Sequence, residues 1–263
     1  YRDVNHNALL DGGESGTGQT LFAKLVPNGS PSGPAIQVAS VDPVTGDYTL
    51  TAVPAGNYLI VLDNNDTLND VTPTLPSGWL GTEIPNQIRS GVVVAATTLP
   101  NQNFGLFNGS KLSGVVFEDD SATAGAANNG IQNSGELGIG GVTVSGIHSS
   151  CAGTVCDTAI TSAAGTYTLW LPSSIGNSAT SIIETNLSGY VSTGAQVGTT
   201  VGTYNRPTDT LSFTNSVGAS YTGVNFGDVR PNLFYTDGSQ NGIAGSTLNY
   251  PHSFTANTTG TVT

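Results

Sequence analysis

The chain has 263 residues and a formal net charge of −12, with 9% charged and 37% hydrophobic residues. A surface this acidic repels phosphate backbones and anionic lipids, and no apolar stretch approaches the roughly 20 residues of a membrane-spanning helix, so neither nucleic-acid binding nor membrane insertion is expected. The 35 glycines and 13 prolines, together with a lack of helical periodicity, predict an all-β protein with enough apolar residues for a core.

The first predicted element is a calcium loop over residues 3 to 14. Side-chain oxygens fall at positions 1, 3, 5, 9 and 12 of a twelve-residue loop, and a main-chain carbonyl stands at position 7. The Gly-, Ser- and Pro-rich segment that follows excludes the helices of an EF-hand, so we expect a structural Ca²⁺ between strands, with an Asx-rich surface turn as the alternative. Ala8 replaces the glycine usual at position 6. The predicted ligands are Asp3, Asn5, Asn7, Leu9, Asp11 and Glu14.

Three short segments recur later in the chain, in the same order and at nearly the same spacing. This pattern predicts two homologous domains of about 100 residues, the usual size of a β-sandwich. We assign them to residues 1–109 and 110–229, with a partial third β unit or donated strands at 230–263. The recurring pairs are TGDYTL (45–50) with AGTYTL (164–169), LPSGWLGT (75–82) with NLSGYVST (186–193), and NQNFGLF (101–107) with GVNFGDV (223–229).

The second repeat carries an altered copy of the calcium loop. Its frame supplies oxygens at positions 5, 7, 9 and 12, whereas Gly125 and Ala127 stand at positions 1 and 3 and offer no side-chain oxygen. An insertion displaces two aspartates upstream, from where they could still reach an ion; the sequence leaves open whether this loop binds Ca²⁺, and we expect any binding to be weaker than in the first loop. The predicted ligands are Asp119, Asp120, Asn129, Ile131, Asn133 and Glu136.

Cys151 and Cys156 are separated by four residues between two strand-like segments. With His148 as the nearby histidine, the pair lacks the ligands of a zinc site. A hairpin can bring the two Cα atoms within disulfide distance, so we predict a disulfide and an oxidising, extracellular compartment.

These landmarks together resemble the B domains of serine-aspartate repeat surface proteins, within the wider class of collagen-adhesin-B-like domains. The resemblance covers residues 1–229, after which the chain looks like the start of another bacterial surface repeat. It implies tandem Greek-key, immunoglobulin-like β-sandwiches that are stiffened by Ca²⁺ and form a stalk at the cell surface. It also implies further ions between loops, for which the candidate ligands are Asp42, Asp63, Asp66 and Asp70.

We therefore predict a structural extracellular protein, a calcium-stabilised stalk or filament subunit. Strand KLSGVVF (111–117) has only Tyr1 and Arg2 as its counterpart in the first repeat, and extra strands follow residue 229. This arrangement predicts either a cut through a longer chain, whose partners are neighbouring repeats, or head-to-tail strand exchange between copies of the chain. The alternative function is an adhesin that binds a host protein or glycan. No catalytic motif is recognised, so enzymatic activity is not expected.

Overall fold

The computed structural model describes residues 1–28, 33–95, 97–120, 126–231, 233–234, 247 and 254–255. The all-β prediction is confirmed, and within these residues the helical segments are 3₁₀ turns at Ala152–Thr154, Ser173–Ile175, Gly198–Thr200 and Arg206–Thr208. None of these described helical segments is long or apolar enough to cross a membrane. The strands are β1 Phe22–Pro27, β2 Gln37–Ser40, β3 Gly56–Asp63, β4 Trp79–Gly81, β5 Ile88–Val94, β6 Leu106–Glu118, β7 Thr143–Ile147, β8 Val155–Ile160, β9 Thr166–Pro172, β10 Ala179–Thr185, β11 Val191–Val197, β12 Thr203–Asn205, β13 Thr210–Thr214, β14 Ser220–Tyr221, β15 Val224–Val229, β16 Leu233–Phe234 and β17 Phe254–Thr255.

The chain divides into two compact units. Strand β6 contributes its first residues, up to Lys111, to unit 1 and its remainder, from Leu112, to unit 2. The predicted boundary between residues 109 and 110 therefore falls inside a strand. Unit 1 comprises Tyr1–Lys111, Pro172–Gly176 and Ser216–Ala219, and unit 2 comprises Leu112–Leu171, Asn177–Asn215 and the described part of Ser220–Thr263.

Unit 1 is built on an antiparallel sheet in the order β2-β1-β3-β5. Because side chains alternate along a strand, β3 contributes to a core on each face of this sheet. Tyr58, Ile60 and Leu62 pack in the larger core, which also contains Trp79 of β4. Leu59, on the opposite face, packs in a smaller core. This double coverage explains why the middle of β3 is buried without interruption.

Unit 2 is a sandwich of two sheets. One is antiparallel in the order β12-β13-β10-β7-β8, and the other has the order β11-β15-β6-β14 with β9 also paired to β6. Aromatic rings join the two sheets: Phe213 of β13 contacts Tyr221 of β14 at 5.0 Å between centroids, and Tyr204 of β12 contacts Phe226 of β15 at 6.1 Å. Strands β6 and β15 run parallel, which places the loop after β6 beside the end of β15.

Beyond residue 229 the structure describes the antiparallel pair formed by β16 and β17. Apart from residues 230–231, 233–234, 247 and 254–255, the predicted third unit or donated strands at 230–263 lie outside the described residues.

Candidate cation-binding sites

The first predicted calcium loop closes around the carboxylate of Asp3, which is fully buried. Asp3 Oδ1 accepts a hydrogen bond from the main-chain N–H of Asn7 at 3.2 Å, and Oδ2 accepts one from that of Ala8 at 2.9 Å. Ala8 has a φ of 64°, the left-handed conformation for which position 6 of such loops normally carries glycine. The N–H of Asp3 donates to the carbonyl of Leu106 at 2.9 Å, so the start of the loop is fixed to β6.

The remaining side chains of this loop bind one another. Asn5 and Asn7 donate from Nδ2 to Asp11 Oδ2 at 2.8 and 2.7 Å, and these two hydrogen bonds hold the pKa of Asp11 below its usual value. Glu14 accepts from the main-chain N–H groups of Val4 and Asp11 at 2.8 and 3.1 Å. In this arrangement the carboxylates of positions 1, 9 and 12 do not all lie within 4.8 Å of one another. Coordination would require the two amides to rotate and present Oδ1.

Leu9, the predicted carbonyl ligand, lies in the same loop. Its N–H donates to Asn7 Oδ1 at 2.8 Å, and its side chain is exposed. All six predicted ligands are therefore brought together in one loop, held by hydrogen bonds between carboxylates, amides and main chain.

The second predicted loop repeats this hydrogen-bonding scheme despite its insertion. Asp119 is fully buried, its Oδ2 accepts from the N–H of Gly130 at 2.7 Å, and its N–H donates to the carbonyl of Asp228 at 2.8 Å. Gly130, with a φ of 69°, corresponds to Ala8. Asp119 therefore stands where Asp3 stands in the first loop. The inserted residues do not prevent its carboxylate from reaching the turn.

The far end of the second loop also matches the first. Asn133 N–H donates to Glu136 Oε2 at 2.6 Å, as Asp11 does to Glu14, and Ile131 N–H donates to Asn129 Oδ1 at 2.8 Å, as Leu9 does to Asn7. Glu136 is buried. Asp120 is half-buried, and its N–H donates to the carbonyl of Glu118 at 3.0 Å.

The four remaining candidates do not share these features. Asp42 is exposed and accepts from the N–H groups of Val44 and Thr45, which lowers its pKa and makes it the first residue of a tight turn. Asp66 is exposed. Asp63 and Asp70 lie together, but around a lysine.

That lysine, Lys24 of β1, is fully buried, as is its partner Asp63. Lys24 Nζ donates to Asp63 Oδ2 at 2.5 Å, to the carbonyl of Asp70 at 2.6 Å and to Asn65 Oδ1 at 3.0 Å. Asn65 Nδ2 donates to both carboxylates. The ammonium group thus supplies a positive charge between these side chains.

A further group of acids was not predicted from the sequence. Glu184 at the end of β10, Asp209 before β13 and Asp228 of β15 are all buried, and one carboxylate oxygen of each lies within 4.8 Å of the others. Asp209 accepts from Tyr204 Oη at 2.6 Å and from the hydroxyl of Ser192. We refer to Glu184, Asp209 and Asp228 as the acidic cluster of unit 2.

Burial dominates the electrostatics of this cluster. Desolvation raises the pKa of Asp228 to about 7, with a smaller contribution from the charge of Asp209. Desolvation also raises the pKa of Glu184, followed by its hydrogen bond to Asp209 and the charge of Asp228. Among the described residues, no ion pair reaches any of the three carboxylates. In the absence of a cation, protons must therefore neutralise part of the cluster.

The predicted disulfide between Cys151 and Cys156 is confirmed, with a Cα–Cα distance of 5.1 Å. His148 is engaged by two hydroxyls, with Nδ1 2.8 Å from Ser150 Oγ and Nε2 3.0 Å from Ser178 Oγ. Both indoles, Trp79 and Trp170, are buried, so neither presents an aromatic surface to a ligand.

Comparisons with known proteins give little further information. No protein-family model matches this sequence, and no curated protein matches it. Among solved structures, the crystal structure of GBS52, the minor pilin of the Gram-positive pathogen Streptococcus agalactiae, aligns with 80% of this chain and 83% of its own. The TM-score is 0.28 and the identity 12%, so this likeness carries no inference about function.

Proposed function

We propose that this chain is a non-enzymatic structural protein of the cell exterior, in which each unit is stiffened by Ca²⁺ held in the loop at residues 3–14 or 119–136. The observation that carries this proposal is the shared hydrogen-bonding scheme of the two loops. In both, a fully buried aspartate binds the N–H of a left-handed residue, and a glutamate caps the N–H three residues before it.

The donor sets fit a hard cation. Each loop offers carboxylate, amide and carbonyl oxygens and no sulfur or imidazole at the ligand positions, which is the chemistry that Ca²⁺ prefers. In the second loop, Asp119 Oδ1 is buried and has no hydrogen-bond partner, so it has an acceptor to offer. A bound ion would place a positive charge beside these carboxylates.

The position of the loops links ion binding to stiffness. Asp3 and Asp119 are each bound through their N–H to a strand of their own unit, at Leu106 and Asp228. An ion that ties such an aspartate to Glu14 or Glu136 would therefore cross-link the loop to the sandwich. We expect this cross-link to resist local unfolding of the loop.

Calcium titration of the two aspartate variants tests this proposal. In isothermal titration calorimetry, Asp3→Asn and Asp119→Asn should each remove or weaken one binding event, whereas the exposed Asp47→Asn variant, with the same change of charge, should bind like the unaltered chain. Equal binding by all four proteins would contradict the assignment of the loops.

We further propose that subunits assemble head to tail by strand complementation. In unit 2, β15 pairs in parallel with β6 at three positions, whereas in unit 1 Leu106 forms one parallel bridge with Arg2. A strand from a neighbouring copy would extend this pairing. Its proposed source is residues 230–263.

Electron microscopy and sedimentation over a range of concentrations test this assembly. The full chain should form filaments, and deletion of residues 230–263 should abolish them without changing the calcium stoichiometry. A full chain that stays monomeric at every concentration would contradict strand exchange and leave a stalk segment as the function. The two buried indoles offer no support for the adhesin alternative.

A further inference from the structure

The acidic cluster of unit 2 occupies positions that are mainly apolar in unit 1. Leu62 N–H donates to the carbonyl of Gln87 at 3.0 Å, and Glu184 N–H donates to that of Asp209 at 3.2 Å. Gln87 and Asp209 share the left-handed conformation, with φ values of 55° and 48°. Leu62 and Glu184 are therefore structural counterparts, as are Gln87 and Asp209.

The third member of the cluster has a counterpart of the same kind. The main-chain carbonyl of Asp228 accepts a hydrogen bond from the N–H of Asp119, just as the carbonyl of Leu106 accepts one from the N–H of Asp3. The repeated NFG segments also align Leu106 with Asp228. The three equivalent positions are thus occupied by two buried leucines and a glutamine in unit 1, and by three acids in unit 2.

Such a replacement is unfavourable unless the buried charge is compensated. Glu184 is 2% exposed, and no N–H or O–H group of the described residues donates to its Oε1. Its charge must therefore be balanced either by a proton shared with Asp209 or by a bound cation. Among the described residues, no lysine or arginine forms an ion pair with these acids, and the exposed Arg206 donates to the carbonyl of Ser192 instead.

The cluster is compact enough to hold one divalent cation. The three carboxylate oxygens lie within 4.8 Å of one another, so a single ion placed between them can contact all three. Carboxylate oxygens are the ligands that hard cations such as Ca²⁺ prefer.

Asn186 completes the site on its solvent side. With Nδ2 turned inward, this exposed residue donates to Asp228 Oδ1 at 2.8 Å and to Glu184 Oε2 at 3.0 Å. Rotation of the amide by half a turn places Oδ1 at the same point, where it would serve as a fourth oxygen ligand. The cluster consequently lies one side chain below the surface, within reach of ions from solution.

We propose that Glu184, Asp209 and Asp228, with Asn186, form a buried binding site for a hard divalent cation, with Ca²⁺ as the ion to be tested, inside unit 2. Its ligands differ from those of the two loops, although the main-chain carbonyl of Asp228 also accepts from the N–H of Asp119 in the second loop. The site gives unit 2 an ion-dependent core, whereas the corresponding core of unit 1 is stable without one.

Replacing the cluster by its unit 1 counterparts tests the proposal. The variant Glu184→Leu/Asp209→Gln/Asp228→Leu should bind one calcium equivalent fewer than the unaltered chain, as measured by equilibrium dialysis with elemental analysis. In chelator it should melt at a higher temperature, because apolar side chains replace uncompensated acids, and the difference should shrink in calcium.

A second comparison separates this proposal from the proposal on the loops. Its parent is the double variant Asp3→Asn/Asp119→Asn, in which both loops are impaired. Adding the three cluster substitutions to this parent should again remove one calcium equivalent. If the triple variant does not fold, Asp228→Asn, which keeps the shape of the side chain, replaces it in the same comparison. Equal stoichiometry in the folded variant and its parent would overturn the proposal and leave protons as the neutralising partners.

Discussion

Replacing Lys24 by methionine should destabilise unit 1 strongly. Lys24→Met keeps much of the side-chain volume but removes the ammonium group from the fully buried carboxylate of Asp63, from the carbonyl of Asp70 and from Asn65 Oδ1. Removing one member of a buried ion pair costs about 3–5 kcal/mol, because the other charge remains buried without an opposite charge. Asp63 would keep only neutral donors, from Asn64, Asn65 and Thr74. We expect the free energy of unfolding of unit 1 to fall by about this amount.

Urea denaturation followed by tryptophan fluorescence measures this change. In a Trp170→Phe background, the signal comes from Trp79, which lies in the larger core of unit 1. The double variant Lys24→Met/Asp63→Asn, which removes the stranded charge, should recover roughly half of the loss. A loss below about 1 kcal/mol for Lys24→Met, or no recovery in the double variant, would refute the prediction that the buried ion pair stabilises unit 1.

Three further predictions concern the loops, the acidic cluster and the disulfide. Glu14→Gln should weaken calcium binding roughly tenfold or more, because position 12 normally supplies a charged pair of oxygens; unchanged titration isotherms would contradict this. In chelator, Asp228 should make unit 2 less stable as the pH rises from about 4 through about 7, by on the order of 4 kcal/mol, because its raised pKa favours the protonated form in the folded state, and Glu184, whose pKa is also raised, should act in the same direction. Asp228→Asn should flatten that pH profile of urea denaturation. Reduction of Cys151–Cys156 should lower the stability of unit 2 by about 2 kcal/mol, since the closed loop is short, and leave the unfolding of unit 1 unchanged.

The fold class and the first loop could be read from local sequence. Glycine, proline and β-branched residues exclude long helices wherever they occur, and the ligand spacing of residues 3–14 is a property of twelve consecutive residues. The ligands of the second loop were harder to predict, because an insertion changes the sequence spacing without changing the hydrogen bonds. Asp119 still reaches Gly130 from eleven residues away.

The buried polar groups required information from distant parts of the chain. Lys24 is one lysine in an apolar strand, and its partners lie 39 to 46 residues away. Glu184 and Asp228 did leave a signal: Glu184 continues the core-facing alternation of Thr180 and Ile182, and Asp228 aligns with Leu106 in the repeated NFG segment. That signal has meaning only when the two repeats are compared position by position.

Calorimetry of the full chain in calcium and in chelator tests the central proposal most directly. At about 10 mM Ca²⁺ and a dissociation constant of about 10⁻⁴ M, each occupied site adds about 2.7 kcal/mol to the stability of its unit. For units of about 100 residues this raises the melting temperature by roughly 10 °C or more. We predict such a rise for both units. Identical melting curves in calcium and in chelator would contradict calcium as the element that stiffens them.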